Sequence, residues 1–158
     1  MCYAHLGNLE EAMVQIKAAK QLAGTERDLM LQIELSEAAT RMLGSEYQTA
    51  CDLYEDIASR YSDLLAEDRE SAQEFQERFG YALVQVKRYD DAIHLFGQLL
   101  GSSRVLDEQR VRLFLGVALA AKGQCQQAQL ELELAAKGPD PKLSKDAMDR
   151  IMSLHRVQ

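Results

Sequence analysis

Tryptophan is absent from this chain, and its 158 residues include only two prolines, three histidines and three cysteines. Aromatic residues make up 6%. Packing many short strands draws on aromatic, β-branched and turn-forming residues, so this supply argues against an all-β fold. Cys2, Cys51 and Cys125 lie far apart with no C-x-x-C pair. An odd, scattered set argues against a disulfide framework and fits a reducing compartment. His5, His94 and His155 fall in three separate segments, none at the three- or four-residue spacing that sets two ligands on one helix face. No metal and no cofactor are therefore expected.

Bases are also in short supply: 18 Lys and Arg stand against 25 Asp and Glu, a net charge of −7. Phosphate contacts need clustered cations, so nucleic acid is not an expected partner. Long apolar runs are missing. The longest uncharged one, Leu113 to Ala121, has nine residues, and a membrane span needs about 20. No basic leader opens the chain, because Glu10 and Glu11 follow too soon. These absences predict a soluble, cytoplasmic protein with no membrane partner.

What is present is 47% hydrophobic and 27% charged, enough in one domain to bury a core without staples. Apolar residues recur at helical spacing almost throughout. Stripes run through Leu9–Leu22, Leu29–Leu43, Tyr47–Ile57, Phe75–Val84, Tyr89–Leu99, Leu113–Leu119, Ala128–Ala135 and a final Leu143–Leu154. Ser45 with Gln48 reads as a capping box, and Gly44 as a left-handed helix end before it. Gly123 has the same role later. In Gly138-Pro139-Asp140-Pro141, Asp140 can N-cap a last helix that starts at Pro141. The reading is all-α: seven main helices, a C-terminal cap and an N-terminal stub.

The helices repeat. Ala12, Ala50, Ala92 and Ala128 are in phase, each followed four residues later by a large side chain: Ile16, Tyr54, Phe96 and Leu132. Twelve residues earlier stand small ones, Ala38, Gly80 and Gly116. Five residues earlier, at the turn, are Gly7, Ser45, Lys87 and Gly123. The segments YAHLGNLEEA (Tyr3 to Ala12), FGYALVQVKRYDDA (Phe79 to Ala92) and FLGVALAAKGQCQQA (Phe114 to Ala128) carry this pattern most clearly. It resembles the tetratricopeptide repeat family, built of helix–turn–helix units of about 34 residues. The resemblance implies a right-handed α-solenoid of such units with a C-terminal capping helix. Residues 1–158 would form a single domain: a partial repeat 1–24, repeats 25–61, 66–101 and 105–138, and a cap 141–157. The small residues would let paired helices approach, and the large ones would fill the gap to the next repeat.

Successive anchors lie 38, 42 and 36 residues apart, which exceed 34 by 4, 8 and 2. The eight-residue excess amounts to roughly two extra turns and falls around Ser62 to Ser71. Glu37 and Arg41 occupy places where the family has large apolar residues. With Met1 in the middle of the first repeat's first helix, the chain reads as the C-terminal piece of a longer solenoid.

No G-x-x-x-x-G-K-[ST], G-x-G-x-x-G or G-x-S-x-G occurs, so no enzyme is expected. The resemblance implies instead a concave groove lined by the first helix of each repeat. By phase its residues are Gln32, Leu35, Ala39 and Met42, then Glu74, Tyr81 and Gln85, then Arg110, Leu113 and Val117, with His5 at the edge. Family members that grip a chaperone's C-terminal carboxylate use Lys, Arg and Asn. The matching places here hold Met1, Ser36, Glu74, Arg78 and Glu77, so that activity is not implied. The expected function is a non-catalytic interaction module that takes a partner peptide or helix in the groove. A chaperone for translocators of type III secretion is the alternative, since Arg110 to Ala128 is similar in layout to that class's last repeat. Oligomeric state is not legible. A rival surface is Asp63 to Arg78, where six acids and two bases make either a solvated face or a dock for a basic peptide.

Overall fold

The apolar stripes all become helices. The computed structural model describes the backbone of residues 3–102, 105 and 107–156 and the side chains of 8–102, 105 and 107–154. Expectations for Met1, Cys2 and Val157, and for the side chains of Tyr3, His5 and His155, lie outside the described residues. In order, the helices are α1 (Tyr3–Ala23), α2 (Arg27–Leu43), α3 (Tyr47–Arg60), α4 (Ser62–Glu67), α5 (Arg69–Gln85), α6 (Tyr89–Leu100), α7 (Glu108–Ala121), α8 (Cys125–Ala136) and α9 (Pro141–Arg156). No strand occurs among the described residues. No helix there is long and apolar enough to cross a membrane.

Two elements differ from the expected layout. The stub and the first full helix are one helix, α1, which runs straight through Gly7. The eight-residue excess, in turn, forms a separate short helix, α4, between α3 and α5.

The chain divides into two compact units, Met1–Phe75 and Gln76–Gln158, the division falling inside α5. In the first, α1 packs on α2 and α2 on α3, and α4 touches α3. Its core includes Ala38, Ala50, Cys51, Tyr54 and Ile57, all fully buried, with the Phe75 ring edge-on to Tyr54 at 5.8 Å. Burying a side chain of the size of Ile57 contributes about 1.5–3 kcal/mol. Glu37 and Arg41, the misfits of the repeat pattern, join Lys20 and Glu46 in a line of ion pairs. At these two positions partly exposed ion pairs stand where the repeat pattern has apolar residues.

In the second unit α6 packs on α7, α7 on α8, and α9 covers both α7 and α8. The small residues of the repeat explain how closely these helices come. A Cβ on Gly80 would lie 2.5 Å from the Phe96 ring, and one on Gly116 would lie 2.7 Å from Leu132 Cγ. Phe96 and Leu132 are therefore seated over the small residue of their own helix pair, and each also meets the next element, Phe96 at Phe114 and Leu132 in one core cluster with Ala147.

Three turns share one construction. At Ser45, Lys87 and Gly123 the backbone is left-handed, with φ of 61°, 64° and 76°. The amide after each reaches back five residues: Glu46 to Arg41, Arg88 to Leu83 and Gln124 to Leu119, all at 2.9 Å. This is the Schellman closure of a helix end. It corrects two sequence assignments. Gly44, at φ −76°, is not the left-handed residue. Ser45 is, so it cannot also serve as an N-cap: α3 starts after Glu46 with no side-chain cap. Asp140 does cap α9, accepting from the amides of Lys142 at 2.8 Å and Leu143 at 3.4 Å.

Candidate functional site

The expected groove residues fall into both units, and each set is described within its own unit. In the first, the N-terminal half of α2 projects Gln32 and Leu35 into a cleft of about 540 Å³. Leu29, Leu31, Leu64 and Leu65 also line it, together with Glu26, Asp28, Glu67, Asp68 and Ser71. Residues of α4 form one wall of the cleft and residues of α2 another. Arg27 anchors that arrangement. Its guanidinium donates to both oxygens of Asp63 on α4 at 2.8 and 2.9 Å, and to the carbonyl of Arg60 at 3.0 Å. The pairing holds the Asp63 carboxyl below its ordinary range, chiefly through these hydrogen bonds.

Asp68 ends the loop after α4 and opens α5. It accepts from the amides of Glu70 and Ser71, both at 3.2 Å, and from the Ser71 hydroxyl. Those bonds, the Ser71 hydroxyl first, hold its carboxyl low as well. Nearby, Glu34 is buried at 6% exposure and meets Arg60, which stacks over the Tyr61 ring at 4.9 Å. A second depression of about 400 Å³ lies between α1 and α2, where Gln32 and Ser36 face Ala12, Ile16 and Ala19. Ala39 and Met42 are half-buried on the same helix, and Glu74 is exposed on α5.

In the second unit, Tyr81 and Gln85 on α5 are half-buried. The Tyr81 ring leans on Phe114 at 4.7 Å, and Phe114 stacks in turn on Phe96 at 6.3 Å. Arg110 is exposed but held between two carboxylates, Glu77 at 3.0 Å and Asp107 at 2.9 Å. Burial pushes the Glu77 carboxyl above its ordinary value, against the pull of Arg110. Leu113 does not line a groove. It is 1% exposed and belongs to the core formed with Leu132, Ala135 and Ala147, against which Leu143, Ile151 and Leu154 pack. Leu113 shares a helix face with Arg110 and Val117, but α8 and α9 cover it there. Val117 opens instead on a cleft of about 460 Å³ between α7, α8 and α9, with Ala120, Cys125, Leu132, Arg150, Ser153 and Leu154.

Sequence reasoning missed Gln109. It is buried, and its side-chain amide donates to the Ala135 carbonyl at 2.9 Å, the Asp140 carbonyl at 3.0 Å and Ser144 Oγ at 3.1 Å. Its oxygen accepts from the Asp140 amide at 2.8 Å. One glutamine thus ties α7 to the end of α8 and the start of α9. A polar residue within the first turn of an apolar helix was the only signal. Among the described residues, no three His, Cys, Asp or Glu side chains converge as a metal site.

Comparison with family models, with curated proteins and with solved structures finds no match.

Proposed function

We propose that the chain is a non-catalytic, tetratricopeptide-like interaction module that binds partner peptides or helices. The observation that carries this reading is the repeated closure at Ser45, Lys87 and Gly123, which recurs in register with the buried anchors Ala50, Ala92 and Ala128. Stacked helix pairs built to one plan commonly serve as recognition surfaces. Two clefts on first helices support it: that of Gln32 and Leu35 on α2, and that of Val117 on α7. Tyr81 and the paired Arg110 are the residue types that dominate binding hot spots.

Selection from a random peptide display library, followed by titration of the selected peptides, tests the reading. Leu35→Asp, Val117→Asp and Tyr81→Ala should each leave the helical signal intact. At least one should weaken binding by about tenfold, as loss of a hot spot does. No selected peptide, or affinities indifferent to all three changes, contradicts it.

A further inference from the structure

The cleft walled by α4 has a chemistry of its own. Its floor is apolar: Leu29 is 45% exposed there, beside the half-buried Leu35 and Leu64. Four carboxylate residues surround that floor, Glu26 and Asp28 at the start of α2 and Glu67 and Asp68 at the end of α4. Among the described residues no lysine or arginine lines it. Arg27, the base next in sequence to two of these acids, is occupied by Asp63 and the Arg60 carbonyl. The short helix that makes the excess in repeat length supplies both a floor residue, Leu64, and a rim residue, Glu67.

An apolar floor inside an acidic rim complements an apolar side chain flanked by cations. Like-charged rims repel acidic partners and attract cationic ones. A cleft of about 540 Å³ falls within the range of roughly 300–1,000 Å³ that suits a compact ligand, so it takes a short segment and not a whole helix face. We propose that this cleft binds a basic peptide segment in which one or two large apolar residues are flanked by Lys or Arg. The inference rests on the interaction-module reading and names the partner's chemistry for one of its two clefts.

Fluorescence anisotropy with a labelled peptide carrying Leu-Leu between Lys and Arg residues tests it on the full chain. Two control peptides accompany it, one with the bases replaced by Glu, the other with the leucines replaced by Ser. The basic apolar peptide should bind and both controls should bind at least about tenfold more weakly. Added salt should weaken the interaction steeply, because the rim is exposed and its field is screened within about 10 Å at 0.1 M. The double variant Asp28→Lys with Glu67→Lys should lose binding, and Leu35→Ser should reduce it. If charge reversal unfolds the chain by circular dichroism, Asp28→Asn with Glu67→Gln replaces it.

Equal binding of the acidic peptide or of the serine peptide overturns the proposal. So does binding that ignores the rim variants. If that surviving binding is lost with Val117→Asp, the module reading stands and only this assignment fails. If neither this peptide nor any library peptide binds, both fail.

Discussion

Gly80 and Gly97 lie on adjacent helices and predict opposite outcomes. A methyl group at Gly80 meets the Phe96 ring at 2.5 Å, whereas one at Gly97 meets nothing within 4 Å. Alanine is the better helix former by about 1 kcal/mol at either place. At Gly97 that gain is free, so Gly97→Ala should stabilise by up to about 1 kcal/mol. At Gly80 the ring must move in a packed core, and Gly80→Ala should cost about 1–3 kcal/mol. Urea denaturation of the two variants beside the parent chain measures both. A stable Gly80→Ala would mean that Phe96 is not seated as described. Gly80 was legible because it repeats at one spacing with Ala38 and Gly116. Gly97 has no such partner in phase, which marks it as a glycine without a packing role.

At the scale of elements, the helix ends carry the repeat. Lys87 holds φ at 64°, a conformation that costs a side chain about 1–2 kcal/mol and glycine nothing. Lys87→Gly should therefore stabilise by about 0.5–1 kcal/mol even though it removes a surface side chain. Gly123→Ala, in the same register at φ 76°, should destabilise by a similar amount. Melting curves of both variants check the pair, and the same sign for the two would contradict a shared turn. The C-terminal helix depends on a different device. Gln109→Ala leaves the buried Ala135 carbonyl and the Asp140 amide without their side-chain partner, a loss of about 1–3 kcal/mol. Hydrogen exchange should show α9 opening ahead of α7. Of these devices only the turn positions could be read in advance. A turn recurs at a fixed spacing and so leaves a pattern, but a side chain that reaches 26 or 31 residues along the chain leaves none. For the same reason Ser45 was misassigned: its residue type suits a cap, and only the backbone shows that it ends one helix rather than starting the next.

Across the whole molecule, acid-dependent stability has two signs. Asp63 and Asp68 have carboxyls held low by hydrogen bonds from Arg27 and Ser71. Their contribution is present above the ordinary carboxylate value and is lost as pH falls through their lowered values. Glu77 is raised by burial, so its charged form costs stability at neutral pH, and that cost disappears as pH falls through its raised value. Glu77→Gln should gain on the parent chain at neutral pH, and the gap should close at acid pH, below the parent carboxyl's raised value. Denaturation at the two pH values reads the difference. A gap that widens on acidification would mean that the Arg110 pair outweighs burial.

Of the expected groove residues, Leu35 and Val117 each line a cleft, because helical phase places them at the edge of their stripes. Leu113 was placed in the groove by the same phase, but α9 returns over α7 and α8 and buries it. The α2 cleft itself depends on α4, which shows in the sequence only as a repeat eight residues too long.

The central claim, that first-helix clefts bind peptides, is tested most directly by a hydrogen-exchange footprint of a bound library-selected peptide on the full chain. The account predicts slowed exchange at the α2 and α4 residues around Leu35 and Leu64, or at the α7 residues around Val117, with the solvent faces of α3, α6 and α8 unchanged. Protection confined to α3, α6 and α8 would contradict it.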